Sequence, residues 1–271
     1  MLCWDAIGDL RVGIDAGDVA LRRDEIEAFV AACTLPLVMH DYGRAAVRAT
    51  ATLMMAGRRP VLLTAAHVFE GGMRFGNLLV PLAGGHGFAS LAGARLFASH
   101  RVDIALVDLS TAPALPSLLR GRGIPVATRA IARRRRARRG AAAPPCEHAL
   151  LCGFPAALSR FERGWLAARR LTLMTRRRID PDAMRCGADR LFEYGRVANR
   201  DDGRPIHTPA LEGMSGAAIW AMEEVTDAAT QCAAVRLRLD AVQSAYVHGR
   251  YLRGHDIGAA MELFRAVVAS N

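Results

Sequence analysis

Residues 22–33 place Ile26, Phe29, Val30 and Cys33 at steps of three and four, on one face of a helical wheel, and so predict an amphipathic helix. The texture then changes. Ala46–Met54 and Pro60–Thr64 are short β-like runs, and the Ala-Gly-Arg-Arg between them predicts a hairpin. Further short apolar runs follow at Leu78–Leu82, Val102–Leu109, Ala149–Cys152, Ala217–Trp220, Ala233–Leu239 and Ala241–Val247, many separated by Gly- and Pro-bearing stretches. Many short strands with turn signals predict an all-β barrel or sandwich. The end, Asp256–Ala269, returns to helical spacing, with Asp256 as cap and Ile257, Met261, Phe264 and Val268 as the apolar stripe.

One segment breaks this pattern. Arg133–Arg139 is a run of arginines interrupted by one alanine, followed by Gly140-Ala-Ala-Ala-Pro-Pro145. Such a block cannot bury apolar surface, so it predicts an exposed linker. The chain then divides into a helical leader (1–40), a first β half (41–132), the linker (133–145) and a second β half with the terminal helix (146–271). No internal repeat is visible.

With 271 residues, 52% of them hydrophobic and 23% charged, the chain can bury a real core and reads as globular. No apolar run reaches the roughly 18–20 residues that span a bilayer, so no membrane association is expected. Asp5 and Asp9 stand where a secretory signal would carry a basic then apolar stretch, and the six cysteines form no dense framework. Reduced thiols and a cytoplasmic setting are the expectation. The formal charge is +10, and all 36 lysine-or-arginine positions are arginine. A nucleic-acid partner would use that charge, with the Arg block as a polyanion patch, but aromatics for stacking make up only 6%. An arginine-for-lysine compositional bias is the favoured account.

Three local patterns carry chemistry. In Leu62-Leu63-Thr64-Ala65-Ala66-His67, a β-like run ends in small residues and presents a histidine. In Val102-Asp103-Ile104-Ala105-Leu106-Val107, an aspartate opens an apolar run, so its carboxylate is expected to be largely buried and to need partners. In Glu212-Gly213-Met214-Ser215-Gly216, a serine sits in a glycine-flanked turn before another apolar run. A serine hydroxyl attacks well only when a base removes its proton. His67 fits that base, with Asp103 orienting its imidazole. The N–H groups of Gly213 and Ser215 fit an oxyanion hole. Each pattern alone is common by chance; the three together, each beside a β-like run, are not.

In this order, the segments Leu63-Thr64-Ala65-Ala66-His67, Asp103-Ile104-Ala105-Leu106 and Gly213-Met214-Ser215-Gly216 resemble the histidine, aspartate and nucleophile motifs of trypsin-like serine peptidases. The resemblance covers roughly residues 46–265. It implies two six-stranded antiparallel β-barrels with the active site between them, a C-terminal helix, and His67, Asp103 and Ser215 as catalytic triad of an endopeptidase acting on protein or peptide substrates without a cofactor. Leu151-Cys152-Gly153-Phe154-Pro155 resembles the segment that opens the family's second barrel. Ala241–Tyr246 resembles the strand lining the primary specificity pocket. By that match Ser244 would hydrogen-bond Asp103, Ser244, Ala245 and Tyr246 would pair with substrate, and Pro209 would lie at the pocket base. With no carboxylate there, the resemblance implies a neutral, small or apolar residue at the cleaved position. His248, Arg250 and His255 leave acidic residues as the alternative.

The departures are specific. Met214 stands where the family has an acidic residue, Val68 stands where secreted members have a cysteine, and residues 221–240 read as an insertion before the pocket strand. Activity is therefore expected without cleavage at the N-terminus, the nucleophile loop being ordered by packing, substrate or a regulatory partner. Cys146, His148 and Cys152 match no usual zinc spacing, so no metal is expected. The remaining histidines, His207 among them, are individually uninformative. A trypsin-like module with little turnover, used for protein binding or regulation, is the alternative function.

Overall fold

A computed structural model of the chain describes residues 19–21, 23–41, 44–56, 59–71, 75–82, 87–112, 124–126, 148–162, 165–184, 186–199, 205–226 and 233–270. The Arg133–Arg139 block, the rest of the 133–145 linker, Cys146 and the Gly84-Gly85 pair lie outside the described residues. Strand β1 (Val19–Leu21) precedes helix α1 (Arg23–Cys33), which leads directly into β2 (Thr34–Asp41). All four residues of the predicted helix face, Ile26, Phe29, Val30 and Cys33, are buried.

The N-terminal sheet begins with β2 and continues through β3 (Arg44–Ala56), β4 (Arg59–Thr64), β5 (Leu78–Pro81), β6 (Phe88–Ser90), β7 (Arg95–Ser99) and β8 (Ile104–Asp108), with β9 (Ile124–Val126) parallel to β3. Its order is β6-β5-β2-β3-β4-β8-β7. The predicted hairpin is β3–β4, with Ala56 opposite Arg59.

The C-terminal half contains β10 (His148–Gly153), β11 (Ser159–Glu162), β12 (Trp165–Ala168), β13 (Leu171–Arg178), β14 (Asp189–Glu193), β15 (Val197–Asn199), β16 (Pro205–His207), β17 (Ala218–Thr226), β18 (Ala233–Val247) and β19 (Tyr251–Asp256). Strands β18-β17-β10-β13-β14-β19 form a ring that the β18–β19 pairing closes. The first half of the 15-residue β18 also pairs with β1, at Leu237, Arg236 and Val235.

The fold is mostly β, as expected, but only one barrel closes. The N-terminal sheet is curled and remains open between β6 and β7 among the described residues. The local reason is length and turning. β6 has three residues, and Leu91 donates back to Leu78 before the chain turns through an Ala94 N–H to Leu91 carbonyl bond. Few ladder positions are left for a β6–β7 seam. A second correction concerns the stretch 221–240. Within it, residues 221–226 and 233–240 are the arms of one long β17–β18 hairpin, paired from Ala218↔Val242 out to Thr226↔Ala233. The two apolar runs on either side of Asp240 are one strand.

The side-chain period of two explains why the strands read as continuous apolar runs. Along β8, Ile104 and Leu106 enter a core between the sheets, while Val107 enters the interior of the N-terminal sheet. Both faces are buried. The closed barrel has its own interior around Leu151, Phe192, Tyr194, Met214 and Ile219. Helix α1 and the terminal helix α2 (Met261–Ala269) both pack into the core between the sheets. Asp256 caps a 3-10 turn (Ile257–Ala260) through the Gly258 N–H, 2.6 Å away, and α2 follows it. The buried stripe is Ile257, Met261, Phe264 and Val267; Val268, assigned to it from the sequence, is exposed. Steps of three from Met261 centre the buried face on Phe264, so the position beyond Val267 turns outward. Among the described residues no helix is long and apolar enough to cross a membrane.

Candidate functional site

Strand β4 ends at Thr64, and Ala65 and Ala66, both fully buried, lead into a 3-10 turn (Ala66–Phe69) that carries His67. Asp103 sits one residue before β8, the strand paired to β4, so the β4–β8 ladder brings the two residues together. The His67 Nδ1 lies 2.8 Å from Asp103 Oδ2, and the His67 backbone N–H donates to Asp103 Oδ1, also at 2.8 Å. This double attachment fixes the carboxylate against both ring and backbone. Asp103 has φ of 44°, the left-handed region that aspartate enters more easily than most residues. Strained backbone of this kind persists where the surroundings over-determine it. The imidazole remains about one-third exposed, and the carboxylate is mostly buried.

Ser215 lies in a turn tied by the Met214 N–H to Leu211 carbonyl and Ala217 N–H to Met214 carbonyl bonds, each 2.9 Å. The flanking glycines are required by conformation and space. Gly213 has φ of 89° and Gly216 of 91°. A Cβ on Gly216 would come within 2.0 Å of Thr64 Oγ1 and 2.8 Å of the Ala65 nitrogen. The serine turn is therefore pressed against the chain two to three residues before His67.

Thr50, fully buried on β3, clamps this turn. Its N–H donates to the Ser215 carbonyl at 2.9 Å, and its hydroxyl donates to the Gly213 carbonyl at 2.9 Å. The same hydroxyl accepts from the Phe154 N–H at 3.0 Å. Phe154 belongs to the Gly153-Phe154-Pro155 segment singled out in the sequence. The Ala156 N–H reaches the Glu212 carbonyl at 2.6 Å, so that segment holds the turn from its other side. Among the described residues the N–H groups of Gly213 and Ser215 have no hydrogen-bond partner. Met214 is fully buried in the closed barrel's interior beside that of Leu211 and Tyr194.

The predicted pocket residues lie on β18 and beside Tyr194. The Tyr194 hydroxyl donates to the Pro209 carbonyl, and its ring packs edge-on against Tyr246 with centroids 6.1 Å apart. The Tyr246 hydroxyl donates to Glu212 Oε1 at 2.6 Å. That bond lowers the Glu212 carboxyl below its usual pKa. Ala245 pairs with Arg253 on β19. The expected Ser244–Asp103 hydrogen bond is not formed: Ser244 sits at the register shift between β18 and β19, and its hydroxyl donates to the Arg253 carbonyl at 3.3 Å. His255 pairs with Asp189 across β14 and β19. Burial lowers its pKa from the usual histidine value, against the upward pull of Asp189, 3.0 Å away, and of Asp103. His207 is exposed and is the last residue of β16; the histidine that meets Asp103 is His67.

Sequence reasoning missed Thr50, Tyr194 and Gln243. Thr50 looks like any polar position in a strand, and its role depends on the other half of the chain. Gln243 carried a signal, as the one amide in the run Ala241–Val247. No protein-family model matches the chain, and no curated protein matches it either.

Proposed function

We propose that the chain is a serine endopeptidase that hydrolyses peptide bonds through an acyl-enzyme on Ser215. The observation that carries this is the His67–Asp103 pair, joined by two 2.8 Å bonds beside a glycine-flanked serine turn. With Nδ1–H given to Asp103, the His67 Nε2 is the basic nitrogen. It takes the Ser215 hydroxyl proton as Oγ attacks the substrate carbonyl carbon, and Asp103 offsets the imidazolium charge. The carbonyl oxygen becomes an oxyanion that the Gly213 and Ser215 N–H groups, both without an internal acceptor among the described residues, are suited to receive. The C–N bond breaks as His67 returns the proton to the leaving amine. Water then repeats the sequence on the ester, releasing the acid and regenerating Ser215.

The test is labelling with a fluorophosphonate probe, which reacts with activated serines. Wild type labels at Ser215, and Ser215→Ala and His67→Ala do not. Absence of label on folded wild-type protein would overturn the enzyme and leave the binding module.

A further inference from the structure

Among the described residues, the closed barrel buries several side-chain polar atoms without a hydrogen-bond partner, and Gln243 is the side chain with both of its polar atoms unpaired. Gln243 is fully buried, and among the described residues neither Oε1 nor Nε2 of its carboxamide has a hydrogen-bond partner. Its backbone stands beside the serine turn: the Gly216 N–H donates to the Gln243 carbonyl at 2.8 Å, and the Gln243 N–H donates to the Ala217 carbonyl at 2.9 Å. The strand period fixes its face. Val242 points into the core between the sheets, whereas Ala241, and Tyr246 beyond the register shift, pack on the barrel interior with Met214, Ala217 and Tyr194. Gln243 lies on that interior face, and the residue opposite it on β19 is Gly254, which has no side chain to offer.

A buried amide without partners is costly, and an apolar residue of similar size would remove the cost. Its retention one hydrogen bond away from the nucleophile's turn points to a group that arrives with substrate. We infer that Gln243 is a specificity residue that selects peptides with a carboxamide side chain, Gln or Asn, on the acyl side of the cleaved bond. This rests on the hydrolase function proposed above. The chemistry discriminates among classes. A carboxamide offers one acceptor and two donors and can satisfy both ends of Gln243 at once. A carboxylate meets only the N–H side and faces Oε1 with like charge. An ammonium or guanidinium meets only Oε1. An aliphatic side chain meets neither end. Tyr194 and Tyr246, packed edge-on with ring centroids 6.1 Å apart, belong to the same barrel interior. The inference refines the neutral pocket expected from Pro209 and opposes the small or apolar occupant.

Two measurements test it. The first compares product-like peptides ending in Gln or in norleucine, its near-isostere, for binding to Ser215→Ala protein by calorimetry, which needs no turnover. The Gln peptide binds about tenfold or more tightly. In Ser215→Ala/Gln243→Leu the preference disappears or inverts. The second is thermal unfolding: Gln243→Leu raises the Tm, because it replaces an unsatisfied amide, whereas a merely structural glutamine would lower it on removal. Equal binding of the two peptides, a preference for the acidic or basic analogues, or an unchanged preference in the Gln243→Leu protein overturns the inference. Fluorophosphonate labelling of wild type reports on the hydrolase separately, so a labelled enzyme with no carboxamide preference would sink this inference alone.

Discussion

Thr50 joins three groups that come from distant parts of the chain: the Ser215 carbonyl, the Gly213 carbonyl and the Phe154 N–H. Replacing its hydroxyl leaves a buried acceptor and a buried donor unpaired. Thr50→Val is therefore expected to cost about 1–3 kcal/mol of stability. It also loosens the oxyanion donors, so kcat falls while KM for a good substrate changes little. Thr50→Ser restores most of both, and steady-state kinetics with chemical denaturation of the three proteins decides it. Equal kcat in Thr50→Val and wild type would exclude a positioning role. The residues of the proposed triad set a stricter standard. Ser215→Ala and His67→Ala are each expected to lose about 10⁴-fold or more in turnover, and the double variant should be little worse than either. Asp108 belongs to stability alone. It is buried on β8; burial would raise its pKa, yet hydrogen bonds from Ser110 and Arg59 prevail and hold it below the usual carboxylate range. A lowered folded pKa means stabilisation present above the unfolded value of about 4 and lost as pH falls through the folded value. Asp108→Asn should thus cost roughly 2 kcal/mol near neutral pH. Denaturation curves should converge with wild type as pH is lowered below about 4.

Helix α1 shows how an element outside the sheets serves the site. Phe29 meets Trp220 of β17 edge-on at 5.9 Å, and the helix face fills the core between the open sheet and the closed barrel. β17 follows directly from the Ser215 turn, so α1 braces the strand that this turn leads into. Phe29→Ala should cost about 3–5 kcal/mol through lost burial and the cavity left behind. The cost should appear as a lower urea midpoint with an unchanged m-value. A loss under about 1 kcal/mol would mean that the helix is peripheral.

For the whole molecule, the proposed site lies at the joint between the two halves. The open sheet supplies His67, Asp103 and Thr50; the closed barrel supplies Ser215 and Gln243. The position before Ser215 is Met214, buried among apolar side chains, where an ammonium group would lose its hydration without an ionic partner. The serine turn is held by Thr50 and by the Ala156 N–H to Glu212 carbonyl bond. Full-length protein, its mass verified by spectrometry, is therefore expected to label at Ser215 with the fluorophosphonate probe. Labelling confined to an N-terminally trimmed form, and abolished by blocking the new amine, would contradict this.

Local pattern was enough for much of the molecule. The step of three and four in Ile26, Phe29, Val30 and Cys33 determined helix α1 and its buried face, because one turn of helix is a property of neighbouring residues. The β4, β5, β8 and β10 runs, the β3–β4 hairpin and the small residues around His67 and Ser215 were legible for the same reason. What only the tertiary structure decided involves partners far apart in the chain. The open seam between β6 and β7, the merging of two apolar runs into β18, the turn of Ser244 toward Arg253, the clamp at Thr50 and the lone amide of Gln243 all depend on which strand lies opposite. Strand pairing is set by the packing of distant surfaces and carries no local period. The sequence thus determined which residues have the chemistry, and the fold decided which of them meet.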